Sequence, residues 1–402
     1  MTRIGLVAGE PSGDLIASRL MSGLRSRLAD VTVQGIGGPA LDSAGMQIWH
    51  PMAALSVFGY VDALKSLPRL FRIYHDVAKR WEDNPPDLFL GVDAPDFNLR
   101  LEHRLRRQGV PTVHFVGPSI WAWRYERINQ IRQAVSHMLV LFPFEVEIYE
   151  KEGIPVTYVG HPLADAIPAN PDQAGVRQSL GLKSDAPVVA ILPGSRGSEV
   201  RLLSPVFLQT AAMFARREPE TQFIVPMVNE VRRREFEAIL MKYPVPNLRI
   251  LQAEKTQDQQ QWPVSWQAMA ACDIALVASG TATLETALFK RPMVISYILS
   301  NTMRRIMALK SGQKGPSVPW VGLPNVLCRE FVVPELLQDE ATPQNLFNAL
   351  DGLWRDEPRK RRIHEQFENL HRILRCNTAQ RASEAIYQLL QNPSAHHRSL
   401  QQ

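Results

Sequence analysis

A buried strand that ends in glycine and serine and turns into a helix leaves backbone N–H groups without partners, and this chain makes that turn twice. Ile4-Gly5-Leu6-Val7 runs into Ala8-Gly9-Glu10-Pro11-Ser12-Gly13-Asp14. Pro187-Val188-Val189-Ala190-Ile191 runs into Leu192-Pro193-Gly194-Ser195-Arg196-Gly197-Ser198-Glu199. N–H groups backed by a helix dipole suit a phosphate or a sugar hydroxyl. Each turn opens its own series of strands and helices. The expected fold class is therefore α/β, with two Rossmann-like parallel-sheet domains facing one another across a cleft.

The first series reads as strands at 4–8, 32–36, 87–92, 112–116 and 138–142, separated by amphipathic stretches such as 98–108. That is the βαβ rhythm of a parallel sheet. It pauses at Gly160-His161-Pro162, where Pro162, Pro168 and Pro171 mark a linker and His161 reads as a linker hydrogen-bonder. A second series follows at 187–192, 222–226, 248–252, 273–278 and 293–297. The expected domains are 1–165, 166–391 with closing helices, and a disordered polar tail, 392–402.

At 402 residues, 45% hydrophobic and 21% charged, the chain has the make-up of a soluble protein with large cores. Its net charge of +5 favours phosphates or an anionic surface. Its basic residues are spread along the chain without interleaved aromatics, so no nucleic-acid partner is expected. Three cysteines without a CxxC spacing read as reduced thiols of a cytosolic protein. No apolar run approaches the ~20 residues needed to span a bilayer. The N-terminus enters a strand without the regions of a signal peptide, so a cytoplasmic location is expected. HExxH, paired Cys/His ligands, D-x-D and G-x-S-x-G are all missing from the sequence, so no metal and no cofactor are expected. Neither glycine loop has the G-x-G-x-x-G spacing of a nicotinamide enzyme.

Candidate chemistry gathers at strand ends. Asp93 closes the buried run 88–92, where open α/β sheets bind ligands, although Asp before Ala-Pro also suits a helix cap. Asp96 and Asn98 could share that capping and leave Asp93 free as a base. Ser279, Gly280 and Thr281 follow the strand Ile274-Ala275-Leu276-Val277 and are set to donate to a diphosphate at a helix start. Glu285, about one turn later, could accept both hydroxyls of a ribose. A capped structural helix is the alternative there. Arg196 either carries a fixed charge to a phosphate or pairs with Glu199 or Glu235. Trp121 and Trp123 follow another strand end and either stack on a sugar, touch acyl chains or fill core.

Taken together, the stretches 8–14, 91–98, 117–124, 141–145, 160–165, 192–200, 278–285 and 323–325 resemble the lipid-A-disaccharide synthases, with similarity over nearly the whole chain. Pro11, Gly322 and the stretch 313–319 depart from the family pattern. The resemblance implies a membrane-peripheral, inverting glycosyltransferase of the two-Rossmann GT-B type, on the cytoplasmic face of the inner membrane. It joins UDP-2,3-diacylglucosamine to 2,3-diacylglucosamine 1-phosphate, giving a β-1,6-linked disaccharide 1-phosphate and UDP. By the same resemblance Asp93 is the catalytic base and Arg196 the essential arginine. Ser279, Gly280, Thr281, Glu285 and Asn325 match nucleotide-binding segments. Glu10, Ser12, Gly13, Asp14, Trp123, Gly194 and Ser195 complete the candidate substrate contacts. The first domain would then take the acceptor and meet the membrane, and the second the UDP-sugar.

Acyl-bearing substrates require a membrane contact. The apolar stretch 57–71, with Lys65, Arg69 and Arg72 along it, suits an interfacial helix whose face includes Val61, Leu64 and Leu67, or else a buried core helix. The nearest rival reading is another two-Rossmann UDP-sugar enzyme: a different glycosyltransferase, or a non-hydrolysing UDP-sugar 2-epimerase.

Overall fold

The computed structural model describes residues 1–28, 30–55, 60–122, 124–252, 262–300, 304 and 319–391, without the side chains of 60–67. The chain forms two compact units, one of Met1–Asp165 with the residues from Leu374 onward, the other of Ala166–Ile373.

The first unit holds seven strands: β1 (Thr2–Ala8), β2 (Val31–Gly37), β3 (Gln47–Pro51), β4 (Leu88–Val92), β5 (Thr112–Phe115), β6 (His137–Val140) and β7 (Val156–Tyr158). They lie in the order β3-β2-β1-β4-β5-β6-β7, and each pairing is parallel. The connecting helices include α1 (Pro11–Arg25), α2 (Pro39–Ser43), α3 (Tyr60–Asp83), α4 (Pro95–Arg106), α5 (Ile128–Ala134), α6 (Phe144–Lys151) and α7 (Pro162–Ala166). Successive residues of a strand point to opposite faces, so a sheet covered by helices on both sides needs apolar residues at every position. The central strands obey this. Leu6 and Leu90 pack with Leu20 and Leu24 of α1 on one face. Val7 and Phe89 pack with Val77 and Trp81 of α3 and Leu101 of α4 on the other.

The second unit repeats the plan with α8 (Gln173–Ser179), β8 (Val188–Leu192), α9 (Gly197–Arg217), β9 (Gln222–Met227), α10 (Glu230–Leu240), β10 (Leu248–Gln252), α11 (Val264–Ala271), β11 (Ile274–Ala278), α12 (Thr281–Leu288), β12 (Met293–Tyr297) and β13 (Glu335–Leu337). Its strand order is β10-β9-β8-β11-β12-β13, again all parallel. β8 and β11, at its centre, are buried along their whole length.

Ten strands fall where the sequence places them. β3, β7 and β13 do not appear in the sequence reading. All three are sheet edges of three to five residues whose side chains are mostly half-buried, so they lack the continuous apolar run that marks a central strand.

The expected second domain, 166–391, is corrected at its far end. The helix Thr378–Gln391 returns to the first unit, where Ala382 and Ile386 join Leu20 and Leu24 in one apolar cluster. Asp165 secures the return by accepting the N–H groups of Asn377 at 2.9 Å and Thr378 at 2.7 Å. The tail 392–402 lies outside the described residues.

Candidate active site

In a doubly wound sheet the two strands at which the winding reverses leave a gap between the loops at their carboxyl ends. That point falls between β1 and β4 in the first sheet and between β8 and β11 in the second. Both glycine loops, Asp93 and Ser279–Thr281 are the segments that leave those four strands.

In the first unit the two loops touch. A Cβ on Gly9 would lie 2.5 Å from Ala94 Cβ, so only glycine admits this approach. Asp93 is half-buried at the end of β4 with φ +54°, and Ala94 follows at φ +43°. Two adjacent non-glycine residues in the left-handed region store on the order of 1–3 kcal/mol each, strain that persists only where the surroundings enforce it. The Asp93 N–H donates to Phe115 O at 2.9 Å, Asn98 Nδ2 donates to Asp93 O at 2.7 Å, and Asp93 Oδ1 accepts the Ala94 N–H at 2.8 Å. The N-cap of α4 is Ala94, not Asp93. Shared capping by Asp96 and Asn98 is corrected as well: Asp96 pairs with Arg127 at 2.7 Å, and Asn98 turns back to the Asp93 carbonyl.

Glu10 and Ser12 are exposed at the start of α1, and Gly13 is buried against Val92. Asp14 is engaged otherwise than as a substrate contact. Its side chain is buried and accepts the N–H groups of Gly38 at 2.7 Å, Ala40 at 2.9 Å and Leu41 at 3.3 Å, which caps α2. Trp123 and the stretch 313–318 lie outside the described residues, as do the side chains of Val61, Leu64 and Leu67. Trp121 packs edge-on against Phe144 at 5.2 Å. His161 stacks on Phe142 and accepts the Leu163 N–H at 3.2 Å.

In the second unit Gly194 takes φ +102°, and a Cβ there would meet Glu199 Oε2 at 2.4 Å. Glu199, at α9's third position, accepts the N–H groups of Ser195 and Arg196, each at 3.1 Å. Those two donors are thus spent inside the loop, against the expectation that they face a phosphate. The Arg196 side chain is 78% exposed and only loosely paired with Glu199, at 3.4 Å. Glu235 pairs instead with Arg201 and Arg232. Burial pushes the Tyr297 hydroxyl up, Glu199 adds to that, and the Arg196 guanidinium bonded to it pulls back. The sequence offers Glu199 as an ion-pair partner of Arg196, which it is at 3.4 Å, but its capping of the loop and the place of Tyr297 are not anticipated there, although a Glu three residues into a helix is a recognisable capping signal.

After β11, the Ser279 N–H donates to Ser296 O at 2.9 Å, so this donor too is taken. Gly280 and Thr281 are exposed at the N-terminus of α12, whose first N–H groups precede the intrahelical ladder, the Thr283 N–H already donating to Gly280 O at 3.1 Å. Glu285 accepts the Trp266 Nε1–H at 2.9 Å, and its burial pushes the carboxyl above its ordinary value. Asn325 is fully buried: Nδ2 donates to Val333 O and Glu335 Oε1, and Oδ1 accepts the Val332 and Val333 N–H groups. It staples the helix Leu323–Cys328 to β13, with its side-chain amide engaged inside the unit.

Residues 4–386 match the family model described as lipid-A-disaccharide synthetase. A curated relative from Bordetella petrii, named lipid-A-disaccharide synthase, is 64% identical over 386 residues, covering 96% of this chain and 98% of the relative. Among solved structures, a UDP-GlcNAc 2-epimerase from Neisseria meningitidis bound to UDP-GlcNAc superposes with TM-score 0.58 at 14% identity, covering 98% of this chain and 100% of that one. WaaG, a glycosyltransferase involved in lipopolysaccharide biosynthesis, gives 0.56 at 14% identity, covering 96% and 99%. At such identities the structures establish the fold, which transferases and epimerases share.

Proposed function

The chain belongs to the lipid-A-disaccharide synthetase family and is a glycosyltransferase, and from that premise we propose how its residues divide the work. The donor is UDP-2,3-diacylglucosamine and the acceptor 2,3-diacylglucosamine 1-phosphate. Asp93, in the first unit, takes the proton from the acceptor's 6-hydroxyl as that oxygen attacks the anomeric carbon. Attack from the face opposite UDP inverts the configuration and yields the β-1,6 linkage. Negative charge then grows on the departing diphosphate. In the second unit the exposed N-terminus of α12 at Gly280 and Thr281, with the outward guanidinium of Arg196, supplies the opposing positive charge. Glu285 accepts from the ribose on the carboxylate oxygen that Trp266 leaves open.

The observation that carries this reading is that the switch point of each sheet presents one half of the chemistry: a fixed carboxylate in the first unit, a cation and a helix N-terminus in the second. Acyl chains on both substrates place the reaction at a membrane surface, the cytoplasmic face of the inner membrane. Among the described residues no helix is long and apolar enough to cross one.

The test incubates the purified chain with both substrates and follows disaccharide 1-phosphate by mass spectrometry and UDP by a coupled assay. Disaccharide and UDP should appear together and depend on the acceptor. Asp93→Asn should retain UDP binding and lose ~10²–10⁴-fold in turnover. Epimerised donor without disaccharide overturns the substrate assignment. Parental turnover in a folded Asp93→Asn protein overturns the base.

A further inference from the structure

Behind the Asp93 turn lies a fully buried polar cluster that the reaction as described does not use. Asn98 and Glu102 stand one turn apart on α4, and His114 sits on β5. All three are 0% exposed. Asn98 Nδ2 makes its short bond to Asp93 O at 2.7 Å and two long ones, 3.4 Å each, to Val7 O at the end of β1 and Val92 O at the end of β4. One side chain therefore gathers the two strands that flank the switch point and the carbonyl of the strained residue. Glu102 Oε1 meets His114 Nδ1 at 2.8 Å. A Cβ on Gly91 would lie 2.2 Å from Glu102 Oε1 and 3.0 Å from Asn98 Cβ, so this cluster presses directly on β4 two residues before Asp93.

Stability alone does not account for it. Asn98 Oδ1, Glu102 Oε2 and His114 Nε2 are buried without hydrogen-bond partners among the described residues. A buried pair satisfied on one side only adds little net stability over an apolar packing of the same volume. What the cluster does supply is a rigid floor. The Glu102–His114 contact ties α4 to β5, and from α4 Asn98 holds the carbonyl of Asp93 at 2.7 Å.

We propose that Asn98 is a positioning residue for Asp93, seated by the Glu102–His114 pair, and that it acts by holding the Asp93–Ala94 turn in its left-handed conformation. This rests on the reading of Asp93 as the base. It touches neither substrate, so its effect appears in the chemical step and not in binding.

The test is a double-mutant cycle on the full chain, with kcat and both KM values measured alongside the melting temperature. Asn98→Ala should lower kcat about 10- to 100-fold, the range expected when a reacting group is misplaced by about an ångström, with both KM values within about twofold of the parent. In the Asp93→Asn background the same change should make no further difference, because the group it positions is gone. An equal fall in kcat in both backgrounds, or an unchanged kcat, overturns the proposal. If Asn98→Ala does not fold, Glu102→Gln, which keeps the shape and an acceptor for His114, replaces it in the cycle. It should show the same dependence on Asp93 at about 3- to 10-fold, and the same two results overturn the proposal. Failure of the underlying reading is visible separately, as parental turnover in Asp93→Asn alone.

Discussion

Arg196 owes its reach to a neighbour. Glu199 takes the N–H groups of Ser195 and Arg196, which fixes the loop backbone, while the exposed guanidinium keeps a 3.4 Å contact to that carboxylate and a bond to the Tyr297 hydroxyl. Removing the guanidinium therefore removes charge and little structure. Arg196→Ala should cut turnover roughly 10²-fold with an unchanged melting temperature, as for other electrostatic donors. Parental turnover would place Arg196 outside the reaction. Glu145 and His161, both buried in the first unit, set a pH response of opposite signs. Burial pushes the Glu145 carboxyl from 4.5 up to about 8. Between those values the folded chain keeps a proton that the unfolded chain has lost, so stability falls as pH rises through that window. Burial holds the His161 imidazole down from 6.5 to about 4. There the unfolded chain takes the proton first, so stability falls as pH drops from about 6.5 towards 4. The two slopes offset one another between about 4.5 and 6.5 and leave a decline above that plateau. Glu145→Gln keeps an acceptor for the Phe142 N–H, which Glu145 Oε2 receives at 3.1 Å, and removes the titration. Thermal melts across pH should show the variant about 5 °C or more above the parent at pH 8 and level with it near pH 5. A gap that does not grow with pH would mean that Glu145 is ionised in the folded chain.

At the level of elements, the described side chains of α3 change surroundings along the helix. Ile73, Val77, Ala78 and Trp81 anchor its C-terminal half in the core. Just before them Phe71 is 54% exposed, and Arg69 and Arg72 beside it are exposed too. An outward aromatic between two arginines is the composition of a helix lying on an anionic surface. Changing Val61, Leu64 and Leu67 together to Ser should release the protein from vesicles of anionic lipid in a flotation assay. The melting temperature should stay put, and the loss of activity should appear as a raised apparent KM for acyl substrates. A fall in melting temperature would instead put those side chains in the core, where exposing a polar group to apolar neighbours costs several kcal/mol.

Across the whole molecule, the chain's last described helix stabilises its first unit. Ile386 is fully buried with Leu20 and Leu24, although the linker at 162–171 precedes it by the length of an entire unit. Ile386→Ala should destabilise the first unit by about 2–5 kcal/mol, the usual cost of the cavity it leaves. Limited proteolysis should then cut sooner within residues 1–165, with fragments from 166–373 as long-lived as before. Equal acceleration in both would mean that the helix belongs to neither unit in particular.

The alternation of apolar runs with amphipathic stretches determined the α/β class and ten strands, because a strand buried on both faces must be apolar along its length and so announces itself locally. The glycine loops and Asp93 were legible for a related reason: strand ends in parallel sheets are where turns need glycine and where polar groups can meet a ligand. The partners of those groups were not legible. Asp14 caps α2, Asn325 ties its helix to β13, and the N–H groups of Ser195 and Arg196 go to Glu199, so groups that read equally well as ligand contacts have internal partners. The return of Thr378–Gln391 to the first unit, and the seat beneath Asp93 made by Asn98, Glu102 and His114, were likewise decided only in three dimensions. Periodicity and turn chemistry are local and are written along the chain. Which buried polar atom meets which, and which unit a helix joins, depends on contacts between distant segments, and those exist only once the sheets have formed.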